Sequence, residues 1–478
     1  MRFRARALLG LAGLALLLGM TAAGPAMARD RVITVPAPPE PGPAQFNQVT
    51  VHQFGPKAAK RVLVLMPGTQ GGAGDFTLDA RYLVKRVPGL QVWAIDRRTQ
   101  ALEDTSTFVA AEAGQIPLQQ AFDYYLNFGG FHFRGANDDP YAREWGMAVA
   151  LNDARAVVRR ARAHGRRQVV LGGHSLGASL TVAYAAWDFN GKPGYKDLDG
   201  LVLIDGGLLG SFDAYDLAQA QQAVGDLQTG SPFLDLLGIG IPEAAGLFAE
   251  IGGLYAEKAP TAAATTLQSY PLLPPEFNPP FPVTNRGLFG YAFDRDTSPA
   301  SLGLLHVNAG GLAATGDPRD WVDGGVTPVN RLAETFGQEP KNAVEWYFPK
   351  RLTIDTNGAD QMSANDVGNF LGLRLFHTRK VNLPLYAIAT DLAGAHVLDG
   401  ARNFIRRART TRRQSLLVNR NPLMSHLDPL TAAPKTNAFL KTVVPFLEKK
   451  VFGSTASPSG GGHKRPPNTT ARGFAPRS

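Results

Sequence analysis

A serine stands between two glycines at residues 173–177, where the chain reads GHSLG. The apolar run VVL at 169–171 is typical of a strand buried on both faces, and alanines and apolar residues at helical spacing follow the serine. A G-x-S-x-G sequence at such a strand-to-helix turn exposes the serine hydroxyl above the sheet, and its glycines let the strand and helix approach closely. A plain turn relieved by glycine is the alternative. The context favours a nucleophilic Ser175.

A nucleophilic serine needs a general base, and the chain has nine histidines. His426 lies in the loop NPLMSHLDPL, after the last predicted strand and before the last predicted helix. Where a G-x-S-x-G turn carries the nucleophile, the acid and then the histidine follow it along the chain. We therefore predict that His426 is the base. His174 occupies a variable position of the motif, and we expect its side chain to point away from the site.

The base in turn needs an acid that holds its ring in one tautomer. Asp391 ends the strand before the last one and lies between the serine and His426 in sequence, so it is the preferred candidate. Asp205 ends the strand after the elbow strand and is the alternative, although two glycines follow it and it could simply finish a turn. Asp399 is a weaker candidate.

Two backbone N–H groups must also face the negative charge that develops on a substrate carbonyl oxygen. The N–H of Leu176, directly after the serine, is the first candidate. The second is that of Thr69, in the glycine-rich loop PGTQGG at 67–72. No G-K-[ST] follows this loop, so a phosphate-binding role is disfavoured.

These residues require a sheet that brings strand ends together. Buried strands are predicted at 61–66, 90–95, 169–171, 200–204, 385–389 and 415–418, with an alternating strand from Gln48 that pairs antiparallel at the sheet edge. Helical patterns at 76–87 and 144–164 separate the early strands. Alternating strands and helices predict an α/β fold with a mostly parallel sheet, so the catalytic candidates lie at the carboxyl ends of its strands.

One interval is far too long for a simple crossover. Residues 206–380 separate two strands that should be neighbours, whereas a crossover needs only about a dozen residues. We predict an inserted cap at 206–380 between two parts of the core, residues 29–205 and 381–452. A smaller excess at 99–143 is expected to cover the same side of the sheet.

The ends of the chain have other compositions. Residues 1–28 contain three arginines, an apolar run and an A-x-A site, which predicts a cleaved signal peptide, a secreted or periplasmic protein and no stable membrane span afterwards. Residues 453–478 are rich in Gly, Pro, Ser and Thr and are predicted to be disordered.

The formal net charge of +9 resides largely in these two ends. They hold seven basic residues and no acidic ones, which leaves 42 basic residues against 40 acidic ones in the body. A nearly neutral body argues against a nucleic-acid groove. The arginine cluster at 402–413 fits the solvated face of a helix. The chain has no cysteine, so disulfides and thiolate metal sites are excluded, and no metal or other cofactor is expected.

The segments GGHSLGAS, LMPGTQGG, ATDLAG and SHLDPL together resemble those of the α/β-hydrolase superfamily, in particular its secreted serine esterases and lipases. The resemblance covers about residues 48–205 and 383–447. It implies a triad of Ser175, His426 and Asp391 and an acyl-enzyme route. Serine at the elbow excludes the nucleophilic aspartate of dehalogenases and epoxide hydrolases. A proline-glycine pair stands where histidine-glycine is more usual, and the insertion matches no cap of the family.

Three functions remain open at this point. The first is hydrolysis of a small or lipid-like carboxylic ester with an apolar acyl group. The second is acyl transfer or peptide cleavage by the same triad. The third is a silent binding protein on a hydrolase scaffold, which an intact set of Ser, His and Asp disfavours.

Overall fold

A computed structural model describes residues 30–127, 129–337 and 343–453. Within these residues ten strands, β1 to β10 in chain order, span Arg31–Pro36, Gln48–Phe54, Arg61–Met66, Leu90–Ile95, Gln168–His174, Gly200–Ile204, Gly310–Leu312, Trp321–Asp323, Leu385–Ala389 and Ser415–Asn419. Eight of them form one sheet in the order β1-β2-β4-β3-β5-β6-β9-β10, and β7 and β8 form a separate ribbon.

The sheet is parallel from β4 to β10, as the alternation of strands and helices predicted. β2 pairs antiparallel with β4, and β1 pairs antiparallel with β2. The edge strand is thus β1 and not the strand from Gln48, which the sequence had placed there. β1 escaped prediction because its alternating burial leaves only Val35 fully buried. The carboxyl ends of β3, β5, β6 and β9 meet at one edge of the sheet, where the candidate residues follow.

Helices cover both faces of this sheet. They are numbered α1 to α15 over the described residues and span Thr77–Arg86, Ser106–Glu112, Leu118–Leu126, Met147–Arg162, Leu176–Ala186, Leu217–Thr229, Ala244–Lys258, Thr265–Gln268, Asn285–Phe293, Val329–Phe336, Lys350–Gly358, Asp366–Leu371, Ala395–Arg407, Asp428–Thr431 and Ala438–Phe446. A π-helical turn, Leu447–Phe452, follows α15.

The continuous apolar run of β3 from Val62 to Met66 shows why both faces must be covered. Val62, Val64 and Met66 pack into the hydrophobic cluster that contains α4, α5 and α13. Leu63 and Leu65, on the opposite face, pack into the cluster that contains α1 and α15. Side chains of a strand alternate between its two faces, so a continuous apolar run must be buried on both sides.

The predicted basic helix is α13. Its Val397, Leu398 and Phe404 are buried against the sheet, whereas Arg402 and Arg406 are exposed. The arginines therefore form the solvated face of an amphipathic helix.

The segment between β6 and β9, residues 205–384, is called here the insertion. It carries α6 to α12 and the β7–β8 ribbon. Each of the three hydrophobic clusters of described residues combines side chains of the insertion with side chains from outside it. The insertion thus shares its core with the sheet and with the 99–143 region. The predicted cap boundaries at 206 and 380 stay a prediction.

The predicted signal peptide at 1–28 lies outside the described residues, as does the predicted tail at 453–478 apart from Gly453. No described helix combines the length and the apolar composition that a membrane crossing needs.

Candidate active site

Ser175 has the strained backbone that the elbow motif predicts. Its φ of 55° and ψ of −125° lie outside the regions that L-residues usually adopt. The residue directly follows β5, its N–H donates to the carbonyl oxygen of Ile204 at 2.8 Å, and α5 begins with the next residue. The serine is therefore held at the carboxyl edge of the sheet, directly before the N-terminus of a buried helix.

The two motif glycines are required by close backbone contacts. A Cβ at Gly173 would lie 2.3 Å from the carbonyl carbon and oxygen of Gly177, and one at Gly177 would lie 2.1 Å from the carbonyl oxygen of Met66. A third glycine, Gly206, approaches in the same way, because its Cβ would lie 2.1 Å from the carbonyl oxygen of Ser175. Any larger residue at these positions would displace the serine.

His426 is buried in the loop between β10 and α14, and its acid partner is Asp205. His426 Nδ1 lies 2.5 Å from Asp205 Oδ2, at the end of β6. The preference for Asp391 was therefore wrong. Asp391 accepts a hydrogen bond from Ser425 Oγ at 2.7 Å, and its carboxylate lies 3.6 Å from Arg295. The weaker candidate Asp399 pairs with Arg402 on the exposed side of α13.

The geometry of neighbouring strand ends explains this correction. β6 lies between β5 and β9, so Asp205 is one strand from the serine and Asp391 is two. Thr390, the first residue after β9, turns toward Asp205 and donates to it through its backbone N–H at 2.7 Å and through its hydroxyl. The sequence did contain one signal for Asp205, namely Gly206 directly after it. This glycine packs against the backbone of Ser175, which places the end of β6 beside the serine.

Asp205 is ionised despite complete burial. Burial alone would raise its pKa, but hydrogen bonding and the charge of His426, together with the two bonds from Thr390, outweigh burial and lower the pKa. A carboxylate only accepts, so His426 Nδ1 carries a proton. In the neutral ring the lone pair then lies on Nε2, the atom that a general base needs.

Ser175 and His426 line the same cavity. Among the contacts of the described residues no hydrogen bond joins their side chains. Hydrogen bonds of this kind are often long in unliganded enzymes and shorten when substrate binds.

His174 contacts the base, contrary to the prediction that it points away. Its Nε2 donates to the backbone carbonyl of His426 at 2.9 Å, and the two ring centroids are 4.4 Å apart. Burial, with the neighbouring His426, lowers the pKa of His174 to about 3. The ring is therefore neutral over the working range of most enzymes, and it fixes the position of the histidine loop.

The candidate oxyanion loop, residues 67–72, is held by a partly buried arginine that sequence reasoning missed. Arg97 Nη2 donates to the carbonyl oxygens of Pro67 at 2.5 Å and Gly68 at 2.8 Å, and Nη1 donates to that of Gly71 at 3.2 Å. Nη1 also lies 2.5 Å from the carboxylate of Glu345, which is fully buried. With its carbonyls directed at Arg97, the loop has a fixed backbone conformation.

The insertion supplies the other support of this loop. Glu345 N–H donates to the carbonyl oxygen of Gln70 at 2.8 Å, and Gly72 N–H donates to that of Ala343 at 2.9 Å. Among the hydrogen bonds of the described residues, none uses the N–H of Thr69 or of Leu176. Both residues line one pocket together with Ser175. Their placement agrees with the predicted oxyanion role, which stays a prediction.

Two pockets of different polarity meet at Ser175. The first, about 1200 Å³ including its part open to solvent, is mostly apolar. Both the insertion and the 99–143 region contribute to its wall, which includes Phe122, Leu126, Phe248, Leu267, Phe289 and Phe336. The second, about 1310 Å³ and also including its part open to solvent, is more polar. Its wall includes Ser211, Asp213, Asn357, Asp360 and His396.

The chain matches no protein-family model and no curated protein sequence. Solved structures that it resembles include a thermophilic esterase from Thermogutta terrifontis, with 11% identity, a TM-score of 0.40 and coverage of 88% of this chain and 99% of that chain. A soluble variant of a monoglyceride lipase from Saccharomyces cerevisiae also resembles it, with 11% identity, a TM-score of 0.38 and coverage of 84% of this chain and 92% of that chain. An epoxide hydrolase from an endophytic Streptomyces has 12% identity, a TM-score of 0.42 and coverage of 88% of this chain and 96% of that chain.

Similarity this distant transfers no residue's role. The sheet order, the strained serine between β5 and α5, and the histidine after the last strand define the class of the protein on their own. The chain has the α/β-hydrolase fold, as its sequence predicted, with serine at the elbow.

Proposed function

We propose that this protein is a serine hydrolase that cleaves carboxylic esters with an apolar acyl group through an acyl-enzyme on Ser175. The observation that carries the proposal is the buried His426–Asp205 pair at 2.5 Å, whose His426 lines the same apolar cavity as the strained serine. Strain at a serine backbone is retained only where the surroundings enforce it, and such positions cluster at functional sites.

The chemistry follows from the protonation states. His426 Nε2 takes the proton of Ser175 Oγ as that oxygen attacks the ester carbonyl, and the N–H groups of Thr69 and Leu176 stabilise the resulting oxyanion. The leaving alcohol receives the proton from His426, and the acyl group remains on the serine. A water molecule, activated in the same way, then releases the acid and restores the enzyme.

The two pockets suggest how the ester lies. The apolar cavity, with its phenylalanine and leucine wall, suits the acyl chain, and the polar pocket suits the alcohol or the incoming water. An acyltransferase would use the same triad with an alcohol or amine acceptor in the polar pocket, and a peptidase would release an amine there.

The first prediction tests the nucleophile. A fluorophosphonate probe should label the mature protein, and Ser175→Ala should abolish the label and lower ester turnover by a factor on the order of 10⁴ or more. Turnover is measured on 4-nitrophenyl esters of two to sixteen carbons, with product analysis in the presence of added alcohols and small peptides.

Ser179→Ala is the matched control for that variant. Its hydroxyl, one helical turn away, donates to the carbonyl oxygen of Gly207 at 2.6 Å and takes no part in the proposed proton transfers. Because Ser179 also lines the polar pocket, the control is read by the fluorophosphonate label, which this variant should keep. Full activity in Ser175→Ala would overturn the proposed mechanism. Predominant acyl transfer to the added alcohol would favour the acyltransferase alternative.

Export is a separate proposal, supported only by the pattern of residues 1–28. N-terminal sequencing of protein from the medium or periplasm should find a start near residue 29.

A further inference from the structure

The amide of Gln70 is an unpaired polar group in the wall of the apolar cavity. Gln70 is 5% exposed, and neither its Oε1 nor its Nε2 has a hydrogen-bond partner. It belongs to the candidate oxyanion loop and follows Thr69, and it lines the cavity together with Ser175. A buried amide without partners costs free energy that an apolar side chain of similar size would not cost.

The backbone of Gln70 is strained as well. Its φ is 53°, in the left-handed region that favours glycine. The carbonyl oxygen of Gln70 is held by Glu345 N–H, and Arg97 holds the carbonyl oxygens of its neighbours Gly68 and Gly71. The surrounding structure thus enforces a conformation that keeps this side chain beside the cavity.

The remaining polar groups near Gln70 do not carry a charge that would suit an ionic substrate. Asp75 also lines the cavity, and burial, partly offset by Arg97, raises its pKa well above the usual range. The other residues that line the cavity are apolar or glycine, apart from the uncharged Thr69 and Tyr270, Ser175 itself and the two histidines. An uncharged polar group is therefore the partner that this end of the cavity accommodates.

We propose that Gln70 recognises a hydroxyl group on the acyl chain, within the first few carbons from the scissile carbonyl, so that the preferred substrates are esters of hydroxy acids with an apolar remainder. A hydroxyl both donates and accepts, which matches the Oε1 and Nε2 of one amide. The acyl side is assigned because Gln70 lines the apolar cavity and is absent from the wall of the polar pocket. The proposal rests on the proposed ester hydrolysis at Ser175.

The test compares esters that differ by one oxygen atom. 4-Nitrophenyl octanoate and its 2-hydroxy and 3-hydroxy derivatives have the same leaving group, so their kcat/KM ratio reports the acyl side alone. The wild-type protein should prefer one hydroxylated ester about tenfold or more, the value of one well-placed neutral hydrogen bond plus relief of the unpaired amide. Gln70→Leu, similar in size, should remove that preference.

Gln100→Leu is the matched control. Both amide atoms of Gln100 are also buried without a partner, but Gln100 lines neither pocket at Ser175. This variant should keep the wild-type ratio, and thermal unfolding should show that both variants are folded. Equal kcat/KM for the three esters in the wild type, or an unchanged preference in Gln70→Leu, would overturn the proposal. Failure of fluorophosphonate labelling at Ser175 would instead overturn the proposed function on which it rests.

Discussion

At the scale of single residues, the site depends on close contacts more than on the reactive groups themselves. The strained Ser175 backbone costs about 1–3 kcal/mol. Gly173, Gly177 and Gly206 make that conformation possible, because each lacks a Cβ that would overlap a backbone atom. Two of these glycines are visible in the motif, whereas the role of Gly206 emerges only when β6 is placed beside β5.

This is also where sequence reasoning reached its limit. Ser175 and His426 could be predicted, because the first has a local motif and the second has a fixed place in chain order. The prediction of the acid, Asp391, was wrong, because Asp205 and Asp391 both end strands and both lie between serine and histidine. The choice depends on side-chain direction at two adjacent strand ends, which no periodicity encodes. Thr390 decides it by bonding to Asp205.

Replacing each aspartate by asparagine tests the assignment. Asp205→Asn should lower kcat by a factor on the order of 10⁴ at neutral pH, because asparagine presents an N–H where His426 Nδ1 needs an acceptor. Asp391→Asn is isosteric and should change kcat little, since Asp391 contacts Ser425 and Arg295 and not the base. Rates are measured on the best 4-nitrophenyl ester. The reverse order of effects would return the acid role to Asp391.

At the scale of elements, the insertion does more than cover the cavity. Residues 343–345 run beside the candidate oxyanion loop, and Glu345 pairs with the arginine that holds the loop's carbonyls. The sequence predicted that an insertion follows β6 and that the strands of the sheet continue after it at 385–389. Its contact with residues 67–72 was not predictable, because a single buried ion pair between segments about 250 residues apart has no local pattern.

Arg97→Lys tests this support. Lysine keeps the charge but cannot donate to three carbonyl oxygens in a fixed plane, so the oxyanion loop should shift. A displacement of about 1 Å can cost roughly a hundredfold in rate, and we expect a fall in kcat of that order with a much smaller change in KM. Steady-state kinetics on one ester measures both constants.

The neighbouring Arg98→Lys is the control for that variant. Arg98 is buried and pairs with both oxygens of Asp153, but it holds none of the loop's carbonyls. It should lower the unfolding midpoint while leaving kcat of the folded protein close to that of the wild type. An equal loss of kcat in both variants would show that Arg97 acts through general stability only.

At the scale of the whole molecule, one core serves the sheet and the insertion together. All three hydrophobic clusters cross the boundary between them, so unfolding of either part exposes apolar surface of the other. Composition alone predicted a large core in a nearly neutral body. It could not predict that the core is shared, since that depends on which apolar residues meet. Because the two parts share a core, each buried titratable group should affect the pH dependence of unfolding of the whole protein.

Two kinds of buried group act in opposite directions on that dependence. The unfolded chain binds a proton at His174 below about pH 6.5, but the folded protein does so only near pH 3, so this group makes the folded protein more stable as pH rises through that window. Burial raises the pKa of Asp153 to about 6 and that of Asp428 to about 7. Their contribution to stability is complete below about pH 4 and is lost as pH rises through those values.

Comparing the wild type with His174→Gln isolates the histidine, because the two carboxyl groups contribute alike to both proteins. The difference in free energy of unfolding between wild type and variant should be constant above about pH 7 and should fall by about 1.4 kcal/mol per pH unit from about pH 6 down to pH 4.5. Urea denaturation at half-unit pH intervals measures it. A difference that stays flat across this range would show that His174 takes up its proton as readily in the folded protein as in the unfolded chain. The pKa of His174 would then not be lowered by burial.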